Sequence, residues 1–271
     1  MQIGAMNHPA RNLLKEIESA AQSGFDFIDL TLEPPLAAAR GLDVRAVRHA
    51  LEACNLGVVG HTAYYLPLGS PFESLRRAAV EELKVCLRVF AELGASWMNL
   101  HPDRQAPFHS RQFVIERNLQ TINDLLGTAR DCGIGLMIEN LPQGFNSPAQ
   151  LAELLDSTPE LGLHLDIGHA NLMVERNTTD SILEAYGPRL RHVHLHDNKG
   201  GSADLHLPLG TGALDTAHHV RSLHAHGYDG TVTLEVFAAD LHYLAYSRDV
   251  FRRLWNEARV RSPTPDRVYS R

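Results

Sequence analysis

Sixteen histidines stand among the 271 residues, and where they fall relative to the aspartates and glutamates decides what chemistry the chain could do. Neutral imidazole is a common metal ligand and acts as a general acid or base near neutral pH. His61, His101, Glu139, Asp166, His194, His196 and Glu235 stand at the ends of short apolar runs that read as strands. Alternate strand residues share a face, so His192, His194 and His196 line one side of their run, as do His164 and Asp166. Two local motifs extend the set. Asp166-Ile167-Gly168-His169 places an imidazole three residues after a carboxylate, where a tight turn brings both to one point. Asp204-Leu205-His206 puts a carboxylate and an imidazole on one side of an extended segment. A His/Asp/Glu set without thiolates suits a divalent ion, Zn, Mn, Co or Mg, and its carboxylates lean toward the harder ions. One histidine at a strand end is more often a hydrogen-bonded structural residue. The convergence argues for a metal, because burying several carboxylates and imidazoles together without a cation is costly for each charge.

Such convergence requires elements whose ends meet. Candidate strands fall at Gln2–Ala5, Phe25–Leu32, Gly57–Thr62, Ser96–His101, Ile134–Asn140, Leu161–Asp166, Leu190–His196 and Gly230–Val236, separated by helix-patterned stretches such as Leu75–Leu93. Gly24, Gly57, Gly94, Gly133 and Gly162 stand just ahead of, or at the start of, strands, as helix-to-strand turns require. Eight strand–helix units in about 260 residues give the arithmetic of a single α/β (β/α)8 barrel, in which active sites form at the carboxyl ends of the strands. No G-x-G-x-x-G or P-loop follows any strand, which counts against a doubly wound open sheet. The expectation is one barrel over residues 1–260 and a Pro-rich, polar, disordered tail over 261–271.

Composition narrows the function classes. Lys and Arg number 25 against 32 Asp and Glu, a formal charge of −7, which argues against a non-specific nucleic-acid binder. At 44% hydrophobic and 21% charged residues, collagen-like, disordered and disulfide-scaffold classes are excluded. The start, Met1-Gln2-Ile3-Gly4-Ala5, lacks the features of a signal peptide, and no run of about 18 apolar residues could span a bilayer. A cytoplasmic location without a membrane partner is the expectation. Cys54, Cys86 and Cys132 lie far apart in helical stretches and read as buried or half-buried thiols. His218, His219, His224, His226 and His242 also fall in helical stretches and are expected at the surface, while His49 and His109 carry no motif. Gly210-Thr211-Gly212, read as preceding the last helix, could cradle a phosphate, although a plain turn is the commoner outcome.

His61-Thr62-Ala63-Tyr64-Tyr65-Leu66, Asn99-Leu100-His101-Pro102, Ile138-Glu139-Asn140, Leu165-Asp166-Ile167-Gly168-His169, His194-Leu195-His196-Asp197-Asn198, Asp204-Leu205-His206-Leu207-Pro208-Leu209-Gly210 and Leu234-Glu235 together resemble the xylose isomerase-like TIM-barrel superfamily, over residues 2 to 258. That superfamily contains sugar isomerases and epimerases as well as apurinic/apyrimidinic endonucleases of the endonuclease IV type. In its isomerase branch the resemblance implies one divalent ion held by Glu139, Asp166, His194 and Glu235. Glu139 and Glu235 would then be the catalytic proton-transfer pair of an enediolate mechanism, His169 would contact a substrate hydroxyl, and His61, His101 and His206 would line the pocket. In its endonuclease branch the resemblance implies up to three zinc ions on His61, His101, Glu139, Asp166, His169, His194, Asp204, His206 and Glu235, with Tyr64 and Tyr65 toward a DNA minor groove.

The segment Thr31-Leu32-Glu33-Pro34-Pro35-Leu36-Ala37-Ala38-Ala39 carries no cation before Arg40, where the endonucleases have a basic DNA-contacting loop, so phosphate contacts are missing. His101-Pro102-Asp103-Arg104-Gln105 departs from the endonuclease signature as well. Glu33 would repel a phosphate backbone but could hydrogen-bond a sugar hydroxyl. The expectation is a divalent-metal-dependent isomerase or epimerase of a small carbohydrate, sugar phosphate or polyol, with Glu33 and Tyr64 among the substrate contacts. A trinuclear zinc phosphodiesterase is the alternative, which makes nucleic acid the less favoured partner.

Overall fold

The strand-forming runs are buried on both faces, as a parallel sheet requires when helices cover one side and a packed interior the other. In the computed structural model, which describes residues 1–104 and 107–261, these runs form eight parallel strands in chain order. They are β1 (Gln2–Met6), β2 (Phe27–Leu32), β3 (Gly57–Thr62), β4 (Trp97–Leu100), β5 (Gly135–Glu139), β6 (Gly162–Asp166), β7 (Leu190–Leu195) and β8 (Thr231–Leu234). β8 returns to β1 through Gln2↔Thr231 to Ala5↔Leu234, which closes the barrel. The helices α1 (Leu13–Gln22), α2 (Val44–Cys54), α3 (Glu73–Leu93), α4 (Arg111–Cys132), α5 (Pro148–Leu155), α6 (Thr179–Tyr186), α7 (Thr216–Ala225) and α8 (His242–Arg261) alternate with them. The single α/β (β/α)8 barrel read from the sequence is the fold of the protein.

Side-chain oxygens of Asn12, Asp43, Ser110, Ser147 and Asp215 accept backbone N–H groups in the first turns of α1, α2, α4, α5 and α7, satisfying donors the helices leave open. Gly94 and Gly133 end α3 and α4 at φ 83° and 68°, a left-handed conformation that costs other residues more. Period-2 alternation divides the strands. Leu163 and Leu165 of β6 and Val193 and Leu195 of β7 join the main apolar core, while the intervening His164, Asp166, His192 and His194 do not. Phe27, Val59, Met137 and Trp97 form a separate small apolar cluster. Each stands two residues before Asp29, His61, Glu139 or Asn99 on the same strand and shares its inward face, so this cluster is the floor beneath a polar stack that rises to the mouth.

Several expectations are corrected. β4 stops at Leu100, β7 at Leu195 and β8 at Leu234, so His101, His196 and Glu235 begin loops at the carboxyl ends instead of ending strands. His219 is 5% exposed, because α7 turns it inward; it is not a surface residue. Gly210-Thr211-Gly212 precedes α7, with β8 and α8 still to follow. Arg261 belongs to the backbone of α8; the remainder of the expected tail, 262–271, and Gln105 of the loop motif lie outside the described residues. Cys54, Cys86 and Cys132 are free, with Cys86 buried and the others half-buried. Among the described residues, no helix is long and apolar enough to cross a membrane.

Candidate metal centre

The chain's imidazoles and carboxylates converge at the carboxyl mouth of the barrel, around a cavity of about 1310 Å3. His61, His101, Glu139, His169, Asp204, His206 and Glu235 line it, with Glu33, Tyr64 and Tyr65 at its walls. Asp166 and His194 are fully buried and sit beneath that lining.

Glu139, at the end of β5, is the hub of one side. Its Oε2 is 2.9 Å from His101 Nε2 and 3.3 Å from His164 Nδ1, and its Oε1 is 3.2 Å from His169 Nδ1. Asn99 Nδ2 donates to the same Oε2 at 3.2 Å. Burial would raise the Glu139 pKa, but His164, His101 and His169 around it hold it well below the usual carboxylate range. His61, at 3.1 Å from Thr31 Oγ1, has His101 edge-on at 5.0 Å and lies parallel to His194 at 5.5 Å. Burial, with His101 and His194 adding to it, depresses the His61 pKa to about 4 despite the pull of Asp29 and Glu139.

Asp166, at the end of β6, accepts the backbone N–H of His169 on Oδ1 at 2.7 Å. This is the tight Asp-x-x-His turn expected from the sequence, tightened into a 3-10 turn over His169–Asn171. His169 then spans the centre, with Nε2 3.1 Å from Asp204 Oδ2 and Nδ1 3.4 Å from Asp166 Oδ2. Asp204 Oδ2 is also 3.2 Å from His206 Nε2, and His206 Nδ1 is 3.6 Å from Glu235 Oε2. Glu235 Oε2 is 3.1 Å from His194 Nδ1. An unbroken chain of polar contacts therefore runs from Glu139 through His169, Asp204 and His206 to Glu235 and His194.

Burial disfavours charge on His169, yet Asp166, Asp204 and Glu139 raise its pKa well above the ordinary value. Burial likewise opposes charge on His194, which Glu235 and Asp29 outweigh, and on His206, which Asp204 and Glu235 push up to about 9. Asp166 and Glu235 are lowered against the effect of burial, Asp166 by His169 and His196 and Glu235 by His194 and His206. Without a cation, imidazolium groups carry the compensating positive charge of the cluster.

The donor set fits a divalent ion. His61, His101 and Glu139 each offer a donor atom within 4.8 Å of the others, as do Glu139, Asp166 and His169, and His169, His196, Asp204 and His206. His101 Nδ1, Asp166 Oδ2 and His196 Nε2 are buried without a hydrogen-bond partner, which an added ion or water would satisfy.

Four residues to which the resemblance gave no role belong to this polar stack. His196 has Nε2 3.4 Å from Asp166 Oδ1 and 3.6 Å from Asp204 Oδ1, and its ring stacks on His206 at 4.0 Å. Gly168 is required beside it, since a Cβ there would stand 2.2 Å from His196 Nε2. Below lie His164, His192 and Asp29, all fully or almost fully buried. Burial would raise the Asp29 pKa, but His194 and His192 hold it well below the usual range. The period-2 rows His192-x-His194-x-His196 and His164-x-Asp166 carried the signal for three of these residues, and an aspartate inside the apolar run of β2 is the signal for the fourth.

At the wall, burial and the neighbouring Glu33 carboxylate raise the Tyr65 phenol to about 12. Tyr64 is 73% exposed and packs edge-on against Tyr65 at 5.4 Å, so Tyr65 is the tyrosine that touches Glu33. Gly210 and Gly212 donate their N–H groups to Asp197 Oδ2, each at 2.9 Å, so this segment is the plain turn and its donors are occupied.

The family model of the xylose isomerase-like TIM barrel matches residues 17–254. A ketose 3-epimerase of Arthrobacter globiformis is 27% identical over 272 aligned positions, covering 91% of this chain and 86% of its own. The crystal structure of a D-tagatose 3-epimerase-like protein superposes with a TM-score of 0.86 at 23% identity, covering 96% of this chain and 99% of that one. Endonuclease IV of Thermus thermophilus superposes with a TM-score of 0.74 at 24% identity, covering 95% and 100%.

Proposed function

The chain belongs to the xylose isomerase-like TIM-barrel family, and from that premise we propose that it is a divalent-metal-dependent isomerase or epimerase of a small carbohydrate, sugar phosphate or polyol. The observation that carries the reading is the pair Glu139 and Glu235, two buried carboxylates that line one cavity and are joined through His169, Asp204 and His206. The similarity to a ketose 3-epimerase over most of both chains supports it.

Glu139, Asp166, His194 and Glu235 would hold the ion. When bound, a divalent cation supplies Lewis-acid polarisation of a carbonyl oxygen. One carboxylate of the pair removes the proton from the carbon beside the carbonyl, and the electron pair moves onto the carbonyl oxygen to give an enediolate. The other carboxyl group returns a proton to that carbon, and delivery on the opposite face inverts the centre. Both carboxyls are held in the charged form in the metal-free protein, so that proton has to be taken up from a neighbouring imidazolium, such as His206 at 3.6 Å from Glu235. His169 and His206, each against Asp204, present imidazoles to substrate hydroxyls, while Glu33 and Tyr65 offer an acceptor and a donor at the wall.

The second reading, phosphodiester hydrolysis on up to three zinc ions, draws on the clusters His61–His101–Glu139 and His169–His196–Asp204–His206 beside the four-residue set. The wall at the second strand favours the sugar. Glu33 there is acidic, and Arg40 is tied to Glu82 at 2.8 Å.

The test is deuterium incorporation from heavy water into a panel of ketoses and ketose phosphates by the manganese-loaded protein, followed by NMR. Exchange at a carbon beside the carbonyl, lost in E139Q, is the expected result. Cleavage of an abasic-site duplex by the zinc-loaded protein, with no exchange into any ketose, would overturn the reading in favour of the second.

A further inference from the structure

We propose that Asp29, on β2 beneath the mouth, is a positioning residue that presents His194 to a metal through Nδ1 and thereby sets the affinity of the centre for a divalent cation. This rests on the reading of His194 as a ligand. Asp29 is fully buried, and its Oδ2 is 2.6 Å from His194 Nε2. A carboxylate only accepts hydrogen bonds, so the contact keeps a hydrogen on Nε2, and when the imidazolium gives up its other proton to a metal it is Nδ1 that supplies the lone pair. Nδ1 is the atom that faces the other donors, 3.1 Å from Glu235 Oε2 and 3.9 Å from Asp166 Oδ2. Neighbouring rings hold the imidazole plane, with His61 stacked at 5.5 Å and His164 edge-on at 4.1 Å.

The neighbouring imidazole does not take this role. His192 Nδ1 is 2.7 Å from Thr231 Oγ1, and its Nε2 lies between Asp29 Oδ2 at 3.3 Å and Thr233 Oγ1 at 3.1 Å. Asp29 Oδ1 is buried without a hydrogen-bond partner. A fully buried carboxylate is a poor stabilising device, since apolar residues of similar volume usually serve as well. Its placement is explained by the histidine it orients. Contacts of this kind, from a carboxylate to the far nitrogen of a ligating imidazole, typically change metal affinity 10- to 100-fold when removed.

The experiment measures cobalt(II) affinity of the full chain by competition with a chromophoric chelator at one pH. Wild-type binding that weakens strongly in H194Q establishes the ligand. D29N is then expected to bind cobalt about 10- to 100-fold more weakly, while H219L, at a buried histidine of α7 outside the centre, stays within about threefold of wild type. D29N at wild-type affinity, with H194Q impaired, overturns the proposal alone. Wild-type affinity in H194Q overturns the parent reading and the proposal with it. A merely structural Asp29 would lower the unfolding temperature of the metal-free protein without a selective loss of cobalt affinity, which also overturns it. Because D29N removes a buried charge and can fail to fold, the wild-type protein gives a second measurement. In zinc-loaded, 15N-histidine-labelled protein, His194 is expected to carry its proton on Nε2, and a proton on Nδ1 overturns the proposal.

Discussion

Asn140 clamps the Asp166 backbone from both directions: its Oδ1 accepts the Asp166 N–H at 2.7 Å, and its Nδ2 donates to the Asp166 carbonyl at 2.9 Å. The two residues stand on neighbouring units, Asn140 just after β5 and Asp166 at the end of β6, so one amide continues the strand pairing to the level of the mouth. Asn140→Ala would leave both Asp166 groups buried and unpaired. The expected cost is about 1–3 kcal/mol, seen as a melting temperature several degrees lower. An unchanged melting temperature would show that neighbouring groups take over the clamp.

Glu235 and Asp166 should separate under mutation. Glu235→Gln keeps the shape and an oxygen donor but cannot move a proton, so turnover is expected to fall by about 10²- to 10⁴-fold, with part of the metal affinity retained. Asp166→Asn should weaken metal binding and turnover together. Elemental analysis after desalting, alongside the turnover rate, checks both; wild-type turnover in Glu235→Gln would rule out the two-carboxylate mechanism.

Metal uptake should release protons. In the metal-free protein His169 and His194 titrate well above the ordinary histidine value and His206 at about 9, so all three hold protons at pH 7. Of the three, His194 belongs to the proposed ligand set, and a ligating nitrogen must be deprotonated, so cation affinity is expected to rise with pH above the ordinary histidine range. Calorimetric titration with zinc in buffers of different ionisation enthalpy measures the release. Heats that are the same in every buffer would contradict the protonated starting state.

His219, outside the centre, has a pH signature of the opposite sign. Burial, with His218 adding to it, lowers its pKa from 6.5 to about 4. The unfolded chain then binds the proton more readily than the folded one. Its contribution is complete above pH 6.5 and is lost as pH falls through about 4. Wild type should lose up to about 3 kcal/mol more stability than His219→Leu between pH 7 and pH 4. Parallel losses in urea unfolding at the two pH values would show that His219 charges freely when folded.

The sequence by itself determined the closed barrel. Strand periodicity and glycine-punctuated helix ends are local properties, and eight of them in succession leave few topologies. It also placed imidazoles and carboxylates at the carboxyl ends, since side-chain alternation is read along one strand at a time. Which donors meet was decided only by the tertiary structure. Asp29 and His194 are 165 positions apart and become neighbours through closure of the sheet. β2 is buried on both faces, so its residues read as one apolar run, and barrel closure turned Phe27, Asp29 and Thr31 inward together. His219 shows the same limit on a helix, because its burial depends on what α7 packs against. Local sequence sets the period of a segment, while the phase of that period toward the core is set by contacts made far along the chain.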